Sequence, residues 1–263
     1  MHRRLASLAL TTLAIIPIGC TTRASSATAQ GGTSIVVFVD FSESVDGGAR
    51  LALKREIDRE ILPSLEPGDS ILIAPIHDKT LTDFRPLVEA DLPARPQFNG
   101  WMNNVMKYHR QAKETEARIV HVKETIRTET DAALARNYRS RYTDIFSSLL
   151  LAEKLFSAEP RRKILVLMSD MIEDYPPYAF DRMAWTPSTT DKLITGLDHK
   201  KMIANLSHVC VYVSGASAPS AELAENIGRF WETYFRKAGA DLDSSRYAHV
   251  LLHWPPPPSC GAS

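Results

Sequence analysis

The sequence predicts an α/β fold built on a doubly wound, mostly parallel sheet. Residues 34–39, 70–76 and 163–168 are nearly continuous apolar runs, rich in Ile, Val and Leu. Such runs are typical of strands buried on both faces, as in the centre of a parallel sheet. Helical patterns alternate with these strands, and this alternation indicates crossover connections between parallel strands.

Local signals predict the remaining elements. The first helix is expected to end before Pro63, and Pro86 places the strand that contains it at a sheet edge, because proline cannot donate to a strand ladder. Four aromatic residues between 230 and 235 share one helix face, which predicts that this face covers the sheet. The predicted elements are helices at 50–62, 143–156 and 220–238 and further strands at 80–89, 208–213 and 247–254.

Residues 99–141 are predicted to form a helical insertion. The segment is mostly polar, and no proline occurs between 97 and 140. Two apolar stripes flank the polar stretch 107–118, the first formed by Met102, Val105, Met106 and His109 and the second by Ile119, Val122, Ile126 and Ala133. We expect a long helix or a helical hairpin, packed on the domain at its ends and exposed in its middle. This segment either binds a partner, as an arm, or is a solvated helix that only spans the molecule.

Composition excludes several classes of protein. The 263 residues contain 31 Lys and Arg and 31 Asp and Glu, so there is no global basic field to hold nucleic acid. Three cysteines are too few for a fold built on disulfides.

The predicted domain covers 34–254, and the Pro-rich tail at 255–263 is expected to be a stiff exit outside the core.

The first residues have the pattern of an export signal. Arg3 and Arg4 precede an apolar run at 5–19, which is too short for a comfortable membrane span. Gly19 followed by Cys20 resembles a bacterial lipoprotein signal, in which the cysteine is lipidated. We therefore expect a signal peptide at 1–19, a flexible tether at 20–33 and an exported protein anchored in the bacterial envelope through Cys20. A cut after residue 29, giving a soluble periplasmic or secreted protein, and an uncleaved membrane anchor are the alternatives.

Oxygen-bearing side chains cluster at the predicted strand ends. Asp40, Ser42 and Ser44 follow the first strand, Thr143 begins a helix, and Asp170 follows the strand at 163–168. Carboxylate and hydroxyl oxygens are hard ligands that suit Mg²⁺ or Mn²⁺. Ligands of open parallel sheets bind beyond the carboxyl ends of the strands, where the winding reverses. These five residues are therefore the predicted metal site.

The order Asp-x-Ser-x-Ser, a distant Thr-Asp-Ile and a strand that ends in Ser-Asp resembles the von Willebrand factor A domain. The resemblance covers roughly 34–254 and implies a metal-ion-dependent adhesion site at Asp40, Ser42, Ser44, Thr143 and Asp170. It also implies a protein partner that supplies a carboxylate to the metal, and binding without turnover. The chain departs from the family pattern in two loops. Arg141-Tyr142 stands where the family often has two glycines, and Met171 stands where it often has one.

Two other functions remain open at this stage. The first is a structural or assembly component of the envelope that uses no metal. The second is a Mg²⁺-dependent phosphotransfer enzyme with Asp40 as nucleophile. This enzyme is disfavoured because the second acid expected two residues later is Ser42, and because no glycine loop that could cradle phosphate follows any strand.

Further residues near the strand ends carry weaker predictions. His249 and His253 are expected to form the polar margin of the last strand rather than a zinc pair. Cys210 and Cys260 are expected to remain unpaired, because Cys210 lies early in its strand and Cys260 follows the far end of a parallel neighbour. Glu173 and Asp174 either deepen the negative potential of the site or belong to a solvated loop. The loop that contains 175–178 and Trp185 is a candidate lining of the binding face.

Overall fold

The structure is a computed structural model that describes residues 31–262 except 46, 79, 99, 101–103, 137–139 and 187. The predicted signal peptide, Cys20 and most of the tether lie outside the described residues. Within the described part of the chain, no helix combines the length and the apolar character needed to cross a membrane.

Five strands form one sheet in the order β3-β2-β1-β4-β5. All neighbouring pairs are parallel except β2 and β3, which are antiparallel. The chain builds one half of the sheet from β1 outward and then returns to build the other half from β4, so the predicted doubly wound fold is confirmed. The strands are β1 (Thr33–Asp40), β2 (Ser70–Ile76), β3 (Val88–Asp91), β4 (Arg162–Met168) and β5 (Val209–Ser214).

Helices cover both faces of this sheet. Helix α1 continues through a π-helical stretch, Ile57–Ile61, into the short helix α2. The α-helices are α1 (Gly47–Glu56), α2 (Leu62–Ser64), α3 (Val105–Leu134), α4 (Ile145–Phe156), α5 (Thr189–His199) and α6 (Ala221–Lys237).

Alternate side chains of β1 enter two separate cores. Val36 and Phe38 belong to the core that includes α4 and α6, whereas Val37 and Val39 belong to the core that includes α1 and α3. This follows from the two-residue period of a strand. The α6 aromatic residues are buried in the first core, where Phe230 and Trp231 contact Phe146, as the sequence predicts.

Two predicted strands differ from the structure. The third strand covers only 88–91, because the chain first makes a turn in which the Thr80 hydroxyl bonds the backbone of His77. The predicted strand at 247–254 is wrong. Tyr247 forms one isolated bridge with Val213, and the chain then leaves the sheet, with φ of 57° at His253. The expectation that His249 and His253 lie on a strand face is therefore also wrong.

The C-terminal tail folds back onto the domain, so the prediction of a free tail with an unpaired Cys260 is wrong. Cys210 and Cys260 form a disulfide with a Cα–Cα distance of 5.3 Å. Arg162, at the start of β4, donates to the carbonyl oxygen of Cys260, and Asp241 accepts the N–H of Gly261. These contacts bring the tail to the amino-terminal end of β5. The prediction places Cys260 beyond the far end of a strand parallel to β5. Because residues 247–254 do not form such a strand, the tail is free to reach Cys210.

Helix α3 is a single helix of 30 residues that runs antiparallel to α1. Lys54 pairs with Asp131 at 2.7 Å, and Lys123 donates to the carbonyl oxygen of Pro63 at 3.1 Å near the end of α2. Ile119, Ile126 and Ala133 are buried in the carboxyl-terminal half.

The amino-terminal half of α3 has a different environment. Residues 105–118 contain no buried residue, and Val105 and Met106 are 54% and 81% exposed. The predicted packing at both ends is therefore wrong at the amino-terminal end. The reason is geometric. Helix α2, which continues α1, ends at Ser64, close to Lys123. Residues of α3 before Ile119 therefore extend past the surface on which the rest of α3 packs.

Candidate metal centre

The carboxyl ends of β1 and β4 lie side by side. The two strands are parallel, with Val39 opposite Met168, so Asp40 and Asp170 follow their strands at the same edge of the sheet. This edge is the point where the winding of the sheet reverses between β1 and β4. The topology thus brings the two acids together as the sequence predicts.

Both oxygens of the Asp40 carboxylate are held. Oδ1 accepts the backbone N–H of Ser42 at 2.8 Å, and Oδ2 accepts the hydroxyl of Ser169 at 2.6 Å. Asp40 is fully buried. Its carboxylate is therefore fixed in orientation by its own loop and by the neighbouring strand end.

The two serines link Asp40 to Asp170. The hydroxyls of Ser42 and Ser44 are 2.9 Å apart, and Ser44 also hydrogen-bonds the carboxylate of Asp170. Asp170 accepts the N–H of Ile172 through Oδ1. Four of the five predicted ligands thus form one connected hydrogen-bond network.

Thr143 occupies a different environment. It is buried, yet its Oγ1 has no hydrogen-bond partner among the described residues. A buried hydroxyl without a partner is costly, because it has given up its bonds to water. Its backbone N–H donates to Asp174 at 2.5 Å, which fixes the position of the residue.

Ser140 joins the loop after β1, which carries Asp40, Ser42 and Ser44, to the segment that carries Thr143. Its backbone pairs with Ser42 in an isolated parallel bridge, and its N–H donates to the carbonyl oxygen of Phe41 at 2.9 Å. Its side chain donates to the carbonyl oxygen of Tyr142 at 2.7 Å. The carboxyl-terminal end of the insertion therefore lies beside the predicted site. A serine in a polar loop gives no sequence signal for this role.

Glu173 is the principal residue that the sequence reasoning misplaced. It is completely buried and accepts the N–H groups of Ile145, Phe146 and Tyr175 at 2.8, 3.2 and 3.0 Å. Burial raises the pKa of this carboxyl well above its usual range. Glu173 thus caps the first turn of α4 from a distant loop and holds the Thr143 segment in place. It is neither solvated nor part of the ligand set.

The two departures from the family pattern have structural counterparts. Met171 has φ of 66°, the left-handed conformation that glycine adopts without strain. Its side chain is buried in the core, and its carbonyl oxygen accepts the indole N–H of Trp231 at 2.8 Å. In the other loop, Tyr142 contacts Tyr175, and the guanidinium of Arg141 lies over the Tyr142 ring. Both loops therefore carry larger residues, and at Met171 the backbone adopts a conformation typical of glycine.

The electrostatics of the site favour a cation. Burial, and after it the negative charge of Asp170, raises the pKa of Asp40 to about 7. Burial also raises the pKa of Asp170. Among the described residues, neither carboxylate forms an ion pair. Two buried acids at one edge of the sheet, together with the unpartnered Thr143 hydroxyl of the adjoining loop, form a donor set whose chemistry fits Mg²⁺ or Mn²⁺.

The donor set contains only two acids. Accordingly, the described residues include no cluster of three or more His, Cys, Asp or Glu side chains able to hold a metal. A site made of these residues would rely on hydroxyl oxygens for its remaining protein ligands. Such a site suits a hard cation and does not suit zinc.

A groove of about 310 Å³ opens beside Ser44 and Asp170. Its other walls come from α1, through Ala52, and from the segment that contains His249 and Val250. Trp185 does not line this groove but packs on Phe180 at the margin of the core. The loop at 175–178 contributes its exposed side chain, Tyr175, to the rim near Tyr142.

No protein-family model and no curated protein sequence matches the chain. Solved structures with a similar fold include proximal thread matrix protein 1 from the mussel byssus, at 9% identity and a TM-score of 0.40 over 80% of this chain and 46% of that one. A von Willebrand factor type A protein from Catenulispora acidiphila has 14% identity and a TM-score of 0.38 over 80% of this chain and 43% of its own.

The manganese-loaded TRAP protein of Plasmodium vivax has 10% identity and a TM-score of 0.38 over 76% of this chain and 63% of that one. The chain therefore spans less than two thirds of the length of each of these three proteins. Every identity is below 25% and every TM-score below 0.5, so these similarities bear on neither the ligands nor the activity of this chain.

Proposed function

We propose that this chain is a binding module that engages a protein partner through a divalent cation, Mg²⁺ or Mn²⁺, without turnover. The observation that carries the proposal is the buried Thr143 hydroxyl. It lacks a hydrogen-bond partner, and Ser140 joins its segment to the loop of Asp40 and Ser42, at the edge of the sheet where two buried acids without ion pairs lie. Buried polar groups are usually hydrogen-bonded, and a bound cation would supply the partner that this hydroxyl lacks.

The ligands would be Asp40, Ser42, Ser44, Thr143 and Asp170. The serine and threonine hydroxyls present neutral oxygens, and the two acids supply the negative charge that balances a divalent cation. When bound, the cation would supply a positive charge that a carboxylate of the partner binds. The chain's own residues hold the ligand loops in place, through Ser169 on Asp40 and through Glu173 on the first turn of α4.

The groove beside the site gives the partner a second point of contact. Its walls include Val45, Ala49, Ala52 and Leu53, together with Asp170 at its metal-side end. This arrangement suits a partner segment that carries an acidic residue next to an apolar one. The acidic residue would face the cation and the apolar residue would enter the groove.

The proposed location is the bacterial envelope, with a lipid on Cys20 as the anchor. The basic start, the short apolar run and Gly19-Cys20 support this. Metabolic labelling with a tagged fatty acid in a bacterial host is expected to label the wild-type chain and to leave Cys20→Ala unlabelled. Equal labelling of both chains would contradict the anchor, and a mature protein that begins at Gln30 would make it a soluble exported protein.

Partner capture tests the function itself. The full chain, purified from detergent-solubilised membranes, is expected to retain a partner in Mg²⁺ and to release it in EDTA. Thr143→Val should release the partner under both conditions, and Thr233→Val, at a half-buried threonine on α6, should behave as wild type. A partner that stays bound in EDTA and on Thr143→Val would favour the metal-independent assembly role. Turnover of phosphoester substrates with Mg²⁺ would favour the enzyme.

A further inference from the structure

The start of the described chain and the start of the insertion lie at one end of the domain. Asp69, in the turn before β2, accepts the N–H of Thr33 through Oδ1 at 2.6 Å. Its backbone carbonyl oxygen accepts the N–H of Leu92 at 2.8 Å. One residue therefore holds both the entry of the chain into β1 and the exit of the chain from β3. This end is opposite the candidate metal centre, because β1 runs from Thr33 towards Asp40.

The exposed half of α3 extends from this same end. The buried side chains of the helix begin at Ile119, and the fourteen residues before it contain none, although Tyr108, Ala112 and Thr115 are half-buried. At 1.5 Å per residue, the helix reaches about 21 Å further, to Val105. The domain thus carries an arm that points away from its metal face.

The end of this arm is apolar and basic. Phe98, Val105 and Met106 are 49%, 54% and 81% exposed, and Phe98 contacts Tyr108. The sequence from 92 to 113 contains no Asp or Glu. We define the α3 tip as six exposed residues, Phe98, Val105, Met106, Lys107, Arg110 and Lys113.

We propose that the α3 tip contacts a lipid bilayer that carries anionic headgroups. Exposed apolar side chains flanked by Lys and Arg are complementary to such a surface. Of the three basic residues of the tip, Arg110 also pairs with Glu114, at 3.9 Å. Gly31 is the eleventh residue after Cys20, so the chain between the two can span at most about 40 Å. A membrane anchored at Cys20 therefore lies within that distance of the end from which the arm projects by about 21 Å. The inference rests on the anchoring in the proposed function and is independent of the metal.

Vesicle binding by the full chain tests this proposal. We compare affinities for vesicles of phosphatidylcholine alone and of phosphatidylcholine with phosphatidylglycerol in equal parts. The variant K107E/R110E/K113E should lower the preference for anionic vesicles about a hundredfold, the contribution expected of three basic residues at such a surface. The control R59E/K154E/K192E makes the same charge change at exposed residues of other helices and should keep the wild-type preference.

A second pair of variants tests the apolar contact. Val105→Ser should weaken binding to anionic vesicles about tenfold, because it removes a side chain that would be buried in the headgroup region. Val120→Ser changes the same residue type on the same helix, at 63% exposure and outside the tip, and should bind as wild type. Circular dichroism should be unchanged in all four variants, because every substituted side chain is exposed.

The outcomes are distinct. An equal loss in the tip and control variants, or no loss in either, overturns the proposal. Loss of a co-purified protein from K107E/R110E/K113E with unchanged vesicle preference also overturns it and makes the arm a protein-binding element. Cys20→Ala separates the two membrane claims. If it abolishes lipid labelling but leaves the preference of the tip for anionic vesicles, both stand, whereas unchanged labelling contradicts the anchor alone.

Discussion

Ser169 donates its hydroxyl to Oδ2 of Asp40 at 2.6 Å, across the boundary between β4 and β1. The same Ser169 oxygen accepts the N–H of Met171 at 3.0 Å. The loop after β4 is thus coupled to the carboxylate at the end of β1. Because Oδ1 of Asp40 is held by its own loop, Ser169 fixes the remaining freedom of this carboxylate.

We expect Ser169→Ala to lower the free energy of unfolding by about 2 kcal/mol, the usual contribution of a hydrogen bond to a charged group. Guanidinium denaturation in EDTA measures this. Ser157→Ala removes an exposed serine hydroxyl at the end of α4 and serves as the control, with little change expected. A loss from Ser169→Ala no larger than that of the control would contradict the role given to this hydrogen bond.

Thr143→Val should have the opposite effect on the metal-free protein. The substitution replaces a buried, unpartnered hydroxyl with a methyl group of similar shape, so stability in EDTA should rise by about 1 kcal/mol. Mg²⁺ should raise the melting temperature of the wild type and should have a smaller effect on the variant. A variant that is less stable than wild type in EDTA would show that the hydroxyl has a structural partner.

Glu173→Ala should strongly destabilise the domain. It leaves the buried N–H groups of Ile145 and Phe146 without an acceptor, and at about 1 kcal/mol or more for each group the expected loss is about 2 kcal/mol or more. The N–H of Tyr175 keeps the carbonyl oxygen of Thr143 as an acceptor at 3.2 Å. Glu89→Ala, at an exposed position on β3, should change stability by less than about 0.5 kcal/mol. Denaturant unfolding of both variants tests whether Glu173 holds the first turn of α4 or is dispensable.

The disulfide should contribute to stability and be detectable directly. Peptide mapping without reductant should yield the linked Cys210–Cys260 peptide. The bond closes a loop with a sequence separation of 50, so Cys260→Ser should lower the free energy of unfolding by about 4 kcal/mol on the chain-entropy model. Finding both cysteines as free thiols in the exported protein would contradict the structure.

Much of the fold was predictable because burial on both faces leaves a clear sequence pattern. The apolar runs at 34–39, 70–76 and 163–168 all lie in strands, and the aromatic face of α6 is buried. The five predicted ligands lie in the loops at one edge of the sheet because parallel strands end together. These features depend on periodicity and topology, which a sequence records.

The remaining features depend on contacts between distant segments. The alternation at 247–254 predicts a strand, yet Leu251 donates its N–H to the side chain of Glu56 on α1 rather than to a strand partner. The tail reaches Cys210 because Arg162 bonds the carbonyl oxygen of Cys260. Glu173 is buried because helix α4 presents its first N–H groups to it. No local pattern in the sequence specifies any of these three partners.

Calorimetric titration of the full chain with Mg²⁺ and with Mn²⁺ tests the central claim most directly. We predict one binding site in the wild type and no measurable binding to Asp40→Asn, which keeps the shape of the side chain and removes its charge. Asp243→Asn removes the charge of an exposed aspartate on the connection after α6 and should bind as wild type. Equal affinity of the wild type and Asp40→Asn, or no binding to the wild type, would contradict the assignment of Asp40, Ser42, Ser44, Thr143 and Asp170 as a metal centre.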